Sequence, residues 1–234
     1  MARGEVLLLA GGRHEAPRGS DSVMAQALRR LGGQAPVLAY IGAASEDSIP
    51  FRHMISALLE SSGAGKILPV NLCRKGASLT RVRALLENAD AVFLSGGDVE
   101  RGMEVLENSG ISAHLRLLAA QGKPFVGLSA GSILLGRTWI RWRDPEDDAS
   151  AEPFRCLGIA DLICDTHDEA SGWSELKALL QLLPKGSEGW GIPAGGALFI
   201  QAAGTMEWIG ERPVLLRQES RSGQEEAPAG SRRR

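Results

Sequence analysis

The stretch PFVGLSAGSILLG, residues 124–136, leads from a short apolar run to a serine that lies between two glycines. The run FVGL is typical of a buried strand and the residues after Ser129 of a helix, so the serine is predicted at a strand-to-helix turn. Gly127 and Gly131 complete the pattern G-x-S-x-G, in which glycines let the chain turn sharply. The same pattern also arises as plain turn chemistry. Partner residues must therefore decide whether Ser129 is a nucleophile.

Strand-like and helix-like segments alternate on both sides of this turn. EVLLLAGG, APVLAYIGAAS, KILPVNL and DAVFLSGGD predict strands, and the segments between them carry apolar residues at helical spacing. This alternation predicts an α/β fold of three layers, with a mostly parallel central sheet and helices on both faces. Farther along, WIRW and LGIADLICDTH predict strands, residues 173–183 predict a helix, and GALFIQAAGTMEWIGERPVLLRQE predicts a late antiparallel pair.

One domain is predicted over residues 1–218, followed by a disordered tail at 219–234 that lacks large apolar residues. The opening MARGEVLLLAGG is too short in its apolar part for a signal peptide and predicts the first strand instead. The net charge is −2 and no apolar run approaches the ~20 residues that span a bilayer, so neither nucleic acid nor membrane is an expected partner.

Three cysteines, Cys73, Cys156 and Cys164, are scattered without a C-x-x-C pair. This pattern predicts free, buried thiols in a reducing compartment and therefore a cytoplasmic location. No His, Cys and acid cluster has the spacing of metal ligands, so neither metal nor cofactor is expected.

A nucleophilic serine needs a base, which is usually histidine. Of the four histidines, His14 is predicted in a loop, and His53 and His114 on helical stretches that favour surface or packing roles. His167 ends the strand-like LICDTH and can lie at the same sheet edge as Ser129, so it is the leading candidate base. The orienting acid stays open at this point, because the neighbouring segments offer Asp144, Glu146, Asp147, Asp148, Asp165 and Asp168.

Two segments of the chain are predicted to supply backbone N–H groups that stabilise an oxyanion. Ala130 follows the serine at a helix N-terminus, where free N–H groups favour negative charge. The run FLSGGD, residues 93–98, ends a buried strand in two glycines that can approach a substrate without a side chain intervening.

VFLSGGD, FVGLSAGS and the strand-end histidine together resemble the serine peptidase family of dipeptidase E (aspartyl dipeptidase) and cyanophycinase. The resemblance runs from the first strand to about Gly210 and implies a fold similar to class I glutamine amidotransferases. It implies Ser129 as nucleophile and His167 as base, with N–H groups of Gly97 and Ala130 at the oxyanion. It also implies Asp144 as the triad acid, with Glu146 and Asp147 as alternates, and suggests a homodimer.

The specificity motifs of that family are altered here. Asp98 stands where dipeptidase E has an asparagine. The stretch HDEASGWSEL stands where cyanophycinases have arginines after the histidine. Late in the chain, GIPAGGALF stands where many relatives have an acidic motif. One interpretation is an acidic pocket of Asp98, Asp168 and Glu169 that favours a cationic group; the other is that these are solvated loop acids. The tryptophans at 139, 142 and 173 are either pocket or core residues.

These observations predict a serine hydrolase that cleaves small peptides, isopeptides or another amide-linked substrate. A glutamine amidotransferase is disfavoured because its elbow residue is cysteine. An α/β-hydrolase esterase is disfavoured because His167 follows Ser129 by only 38 residues. A cyanophycinase-like hydrolase and a non-catalytic binding protein that keeps the fold stay as alternatives.

Overall fold

The computed structural model describes residues 4–11, 22–32, 34–74 and 78–218. The strands in these ranges are β1 (Val6–Leu9), β2 (Leu38–Ile41), β3 (Ile67–Val70), β4 (Ala91–Leu94), β5 (Phe125–Leu128), β6 (Thr138–Trp142), β7 (Ala151–Arg155), β8 (Cys164–Thr166), β9 (Glu188–Ile192), β10 (Gly196–Ile200), β11 (Met206–Gly210) and β12 (Val214–Arg217). The α-helices are α1 (Val23–Arg30), α2 (Ile49–Ser61), α3 (Leu79–Asn88), α4 (Val99–Asn108), α5 (Ser112–Ala120), α6 (Ala130–Leu135) and α7 (Ser174–Leu182). His14 and the predicted tail at 219–234 lie outside the described residues.

The central sheet has seven strands in the order β11-β10-β1-β5-β4-β2-β3. Strands β1, β5, β4, β2 and β3 are parallel, whereas β10 and β11 add to the β1 side as an antiparallel pair. The predicted mostly parallel sheet and the late antiparallel pair are both confirmed. Because β5 lies in the middle of the order, the residue that follows it is at the centre of the carboxyl edge, where ligands bind in parallel α/β sheets.

Apolar residues cover both faces of this sheet, which explains why the sequences of its parallel strands are continuous apolar runs. Along β1, Leu7 and Leu9 belong to a core cluster that includes residues of α1 and α2, and Leu8 belongs to a second cluster with residues of α3, α4, α5 and α6. The alternation along the strand therefore sends successive side chains into two different cores. The predicted three-layer arrangement is confirmed.

Side chains that cap helix N-termini explain where several helices begin. Ser22 Oγ accepts a hydrogen bond from the N–H of Ala25 at the start of α1, and Ser78 Oγ accepts one from Arg81 at α3. Asp98 Oδ1 accepts a 2.7 Å hydrogen bond from the N–H of Arg101 at α4. Each cap satisfies a backbone donor that has no partner within its helix.

A smaller sheet, β12-β9-β8, lies beyond α6 and carries the histidine that the sequence predicts at a strand end. Strand β8 is parallel to β9, and the N–H of His167 donates to the carbonyl of Ile192 at the end of β9. The sequence pattern did not predict β9, because EGWGI contains two glycines, or β7, because AEPFR contains a proline. Both strands are specified by pairing with a partner, β9 with β8 and β12 and β7 with β6.

Candidate active site

Ser129 lies between β5 and α6 with φ 53° and ψ −123°, a conformation that non-glycine residues rarely adopt. Neighbouring backbone holds it there, because its N–H donates a 2.8 Å hydrogen bond to the carbonyl of Leu9. The same carbonyl accepts a 2.9 Å hydrogen bond from Ser132 Oγ. A strained serine at a strand-to-helix turn is characteristic of a nucleophile elbow.

The two glycines of the motif are required by close packing. A Cβ atom at Gly127 would lie 2.5 Å from the Cα of Ser132, and one at Gly131 would lie 2.1 Å from the carbonyl oxygen of Leu94. Both contacts are with backbone atoms, which cannot move aside. The pattern G-x-S-x-G therefore reflects the tight fit of the turn between β4, β5 and α6.

Ser129 Oγ lies 2.7 Å from Nε2 of His167. His167 follows β8 with φ 48°, so it too has a positive φ. If the hydroxyl donates, Nε2 accepts and the ring proton is on Nδ1, which is the arrangement in which histidine can take the serine proton. The structure thus brings together the two residues that the sequence pairs.

No carboxylate oxygen among the described residues lies within the 4.0 Å ion-pair distance of a His167 ring nitrogen. Asp144 is exposed in the turn after β6, where Oδ1 accepts a 3.1 Å hydrogen bond from the N–H of Glu146. Asp147 similarly accepts from Ala149 at 2.9 Å. Asp144 as the triad acid, with Glu146 and Asp147 as alternates, stays a prediction.

The glycine loop after β4 lies directly beside the serine. A Cβ atom at Gly96 would lie 3.2 Å from the Cβ of Ser129, and Gly97 has φ 140°. In the part of the chain that the structure describes, the N–H groups of Gly97 and Ala130 have no hydrogen-bond acceptor. Free N–H donors next to a serine hydroxyl are what an oxyanion hole requires.

The three acids predicted to bind a cationic group each have a partner within the fold. Asp98 caps α4, Asp168 accepts a hydrogen bond from Ser171 Oγ, and Glu169 Oε1 accepts from the N–H of Ala194 at 3.3 Å. These bonds occupy part of each carboxylate, so a substrate-binding role for them stays a prediction. Of the tryptophans, those at 139 and 173 are buried, and the one at 142 is half-buried and packs against the core.

Asp165, two residues before the histidine, is a buried acid that the sequence offered only as one of six candidates for the orienting acid. Asp165 is 4% exposed. Its Oδ1 accepts a 2.7 Å hydrogen bond from the N–H of Thr166, whereas its Oδ2 is buried without a hydrogen-bond partner among the described residues. Burial, with smaller contributions from the carboxylates of Asp168 and Glu175, raises the pKa of Asp165 to about 7. Its position in LICDTH predicts a strand, but the sequence does not show which face of that strand packs against the rest of the protein.

The prediction that all three cysteines are buried is wrong for Cys73, which is exposed just after β3. Cys156 and Cys164 are buried as predicted, and all three thiols are free. Partial desolvation by the surrounding protein and the nearby Asp47 carboxylate raise the pKa of Cys73 to about 11. Full burial raises the pKa of Cys156 to about 12 and that of Cys164 further. None of the three is therefore an activated nucleophile.

The described residues contain no group of three or more His, Cys, Asp or Glu side chains that could hold a metal ion. In the same ranges, no helix is both long and apolar enough to cross a membrane.

The family model described as peptidase family S51 matches residues 6–207. The chain belongs to peptidase family S51. This confirms the resemblance drawn from VFLSGGD, FVGLSAGS and the strand-end histidine, and it confirms that the chain is a peptidase by family. The match covers the serine, the histidine and the glycine loop.

Two solved structures have the same fold as this S51 chain. A peptidase from an acI-B1 actinobacterium is 18% identical, with a TM-score of 0.70 over 93% of this chain and 96% of that one. A protein assigned as peptidase E from Listeria monocytogenes EGD-e is 17% identical, with a TM-score of 0.63 over 93% of this chain and all of that one. At these identities the similarity establishes the fold.

Shorter matches link this S51 chain to the pyridoxal 5'-phosphate synthase subunit PdxT. The match to PdxT of Archaeoglobus fulgidus is 38% identical over 58 residues, which is 25% of this chain and 29% of that protein. The match to PdxT of Bacillus mycoides is 25% identical over 136 residues, 57% of this chain and 64% of that protein. The matches span less than two thirds of these relatives and are consistent with the predicted fold similar to glutamine amidotransferases.

Proposed function

We propose that this chain hydrolyses short peptides or isopeptides with Ser129 as the nucleophile, in the manner of dipeptidase E but with altered specificity. The observation that carries the proposal is the 2.7 Å contact between Ser129 Oγ and His167 Nε2 on a strained strand-to-helix turn. Membership in peptidase family S51 supports the same chemistry.

In the proposed reaction, Ser129 Oγ attacks the carbonyl carbon of the scissile bond while His167 Nε2 takes the hydroxyl proton. The N–H groups of Gly97 and Ala130 stabilise the oxyanion. The protonated histidine then gives its proton to the leaving amine, which leaves an acyl group on Ser129. Water, deprotonated by His167, releases the acyl group. Asp144 is proposed to hold the imidazole in its productive tautomer.

The proposed substrates follow from the charge of the neighbouring loops. Asp98, Asp168 and Glu169 give this edge three acids, which favours a substrate with a free α-amine or a basic side chain over one with an aspartyl group. The cytoplasmic location is proposed from the three free thiols. The homodimer stays a prediction from the resemblance.

The test is hydrolysis of a dipeptide and isopeptide panel by the wild-type protein and by Ser129→Ala and His167→Ala variants. The panel includes N-terminal Asp, β-aspartyl, and Lys- or Arg-bearing members. We expect cleavage that falls by a factor on the order of 10³ in both variants. Loss of less than tenfold in both would overturn the assignment, and no cleavage by folded wild-type protein would favour the non-catalytic alternative.

Labelling with a fluorophosphonate probe is a second test that needs no knowledge of the substrate. We expect one adduct on Ser129, found by mass spectrometry, and none in Ser129→Ala. Ser132, which lies on α6 three residues after Ser129 and donates to the carbonyl of Leu9, is the matched control, because Ser132→Ala should keep the adduct. Labelling at another serine would contradict the proposed nucleophile.

A further inference from the structure

The segment after β2, residues 42–47, makes a short loop that packs against the glycine loop of the active site. Residues Ala43–Ser45 form one turn of 3-10 helix. Glu46 and Asp47 then adopt φ values of 51° and 57°, so two successive non-glycine residues have the left-handed conformation. Such conformations persist only where surrounding contacts hold them, and they cluster at functional sites.

Ala44 is the residue of this segment that touches the glycine loop. Its carbonyl oxygen accepts a 2.8 Å hydrogen bond from the N–H of Asp98. The same oxygen would lie only 2.0 Å from a Cβ atom at Gly97, so it packs directly against that glycine. A Cβ atom at Gly102, one turn into α4, would lie 3.2 Å from the Cα of Ala44. The position of Ala44 therefore determines where the peptide group of Gly97 can lie.

Asp47 fixes the far end of the segment. Its Oδ2 accepts hydrogen bonds from the N–H groups of Leu72 at 2.6 Å and Cys73 at 2.7 Å, just after β3. Its own N–H donates to the carbonyl of Gly42 at 2.9 Å, which closes the loop on itself. One carboxylate thus ties the segment to the end of the neighbouring strand.

We propose that Asp47 is a positioning residue for the oxyanion hole. It holds residues 42–47 in place, and Ala44 in turn holds the N–H of Gly97 where the oxyanion forms. The hydrogen bonds of Asp47 go to Leu72, Cys73 and Gly42, so its effect on the active site passes through Ala44. This inference rests on the proposed function, because it assigns a catalytic purpose to the position of Gly97.

A transition-state role predicts a specific kinetic signature. The oxyanion forms only during the reaction, so a displaced Gly97 N–H should lower kcat while it leaves KM nearly unchanged. In Asp47→Ala, we expect kcat to fall about tenfold or more, since removal of one whole oxyanion donor costs about 10²–10³. In Asp47→Asn, we expect less than threefold loss, because the amide oxygen can still accept both N–H bonds and asparagine tolerates positive φ.

Asp90 provides a matched control for lost stability. Its Oδ2 accepts a 2.7 Å hydrogen bond from the N–H of Val37, so it too is a carboxylate that anchors backbone. It lies just before β4, at the amino edge of the sheet and away from the serine. Asp90→Ala should lower the melting temperature as Asp47→Ala does, yet leave kcat unchanged.

The experiment measures kcat, KM and melting temperature of the three variants, together with the ¹H–¹⁵N amide signals of Gly97 and Asp98. We expect those signals to shift in Asp47→Ala and to stay in place in Asp90→Ala. A kcat loss in Asp47→Ala no larger than in Asp90→Ala would overturn the proposal, as would unmoved Gly97 and Asp98 signals. If the wild-type protein shows no Ser129-dependent turnover, the proposed function fails, and the amide signals alone then decide whether Asp47 positions Gly97.

Discussion

Ser129 Oγ and His167 Nε2 lie 2.7 Å apart, and both residues have positive φ values, 53° and 48°. Each therefore reaches the other from a strained position at the end of a strand. The strain is maintained on one side by the carbonyl of Leu9, which accepts from the N–H of Ser129, and on the other by Ile192, which accepts from the N–H of His167. Two different sheets thus set the distance between the reacting atoms.

Because Ser129 is strained, two substitutions at this position should differ in stability although both abolish activity. Ser129→Gly should raise the free energy of unfolding relative to Ser129→Ala by about 1 kcal/mol, since glycine adopts the observed φ without a penalty. Both variants should lose hydrolysis equally. Urea unfolding and turnover measured side by side test this, and equal stability of the two variants would show that the serine conformation carries no strain.

Gly97 should be far less tolerant of a side chain than another glycine with positive φ. Gly97→Ala places a Cβ 2.0 Å from the carbonyl oxygen of Ala44, whereas at Gly158, with φ 64°, nothing lies within 4 Å. We expect Gly158→Ala to cost about 1 kcal/mol from conformation alone. Gly97→Ala should cost at least about 2–3 kcal/mol and also reduce kcat, because the clash displaces backbone. Similar melting temperatures would contradict the packing described for residues 42–47.

The local parts of the site could be predicted from the sequence. Ser129 is marked by two glycines that its own turn requires, and Gly97 is marked by the glycine pair that ends a buried strand. His167 was predictable because it ends an apolar run, although the strand that pairs with that run, β9, was not recognised. Features that depend on a few adjacent residues leave a pattern that can be read along the chain.

Asp47 and Asp165 left no such pattern, because their roles depend on contacts between distant segments. Asp47 binds backbone N–H groups 25 and 26 residues later in the chain. Its positive φ of 57° is not announced by a glycine. Asp165 is buried next to Gly191, its partner in the neighbouring strand, and the ring of Trp173 would lie 2.6 Å from a Cβ atom at that glycine. Cys73 was wrongly predicted to be buried for the same reason.

The choice of triad acid can be tested by comparing neutral isosteres in the loop after β6. Asp144→Asn should lower kcat at least about 100-fold if Asp144 orients the histidine, whereas Glu146→Gln and Asp147→Asn should have little effect. All three side chains are exposed, so the variants should fold normally, which melting temperatures will verify. Equal effects of the three substitutions would rule out Asp144 as the orienting acid.

Asp165 should make the stability of the protein depend on pH between about 4 and 7. Its pKa is raised to about 7 in the folded protein, above the ~3.9 of an unfolded chain, so its contribution is fully present below the unfolded value and is lost as the pH rises through 7. The Asp165→Asn variant lacks this loss and should gain about 2–4 kcal/mol relative to wild type between pH 5 and pH 8. The quantity to compare is the change in the stability difference between pH 5 and pH 8, because the cost of burying the introduced side-chain amide is the same at both pH values. Urea unfolding at pH 5 and pH 8 measures the effect. Parallel pH profiles for Asp165→Asn and wild type would mean that Asp165 stays ionised in the folded protein.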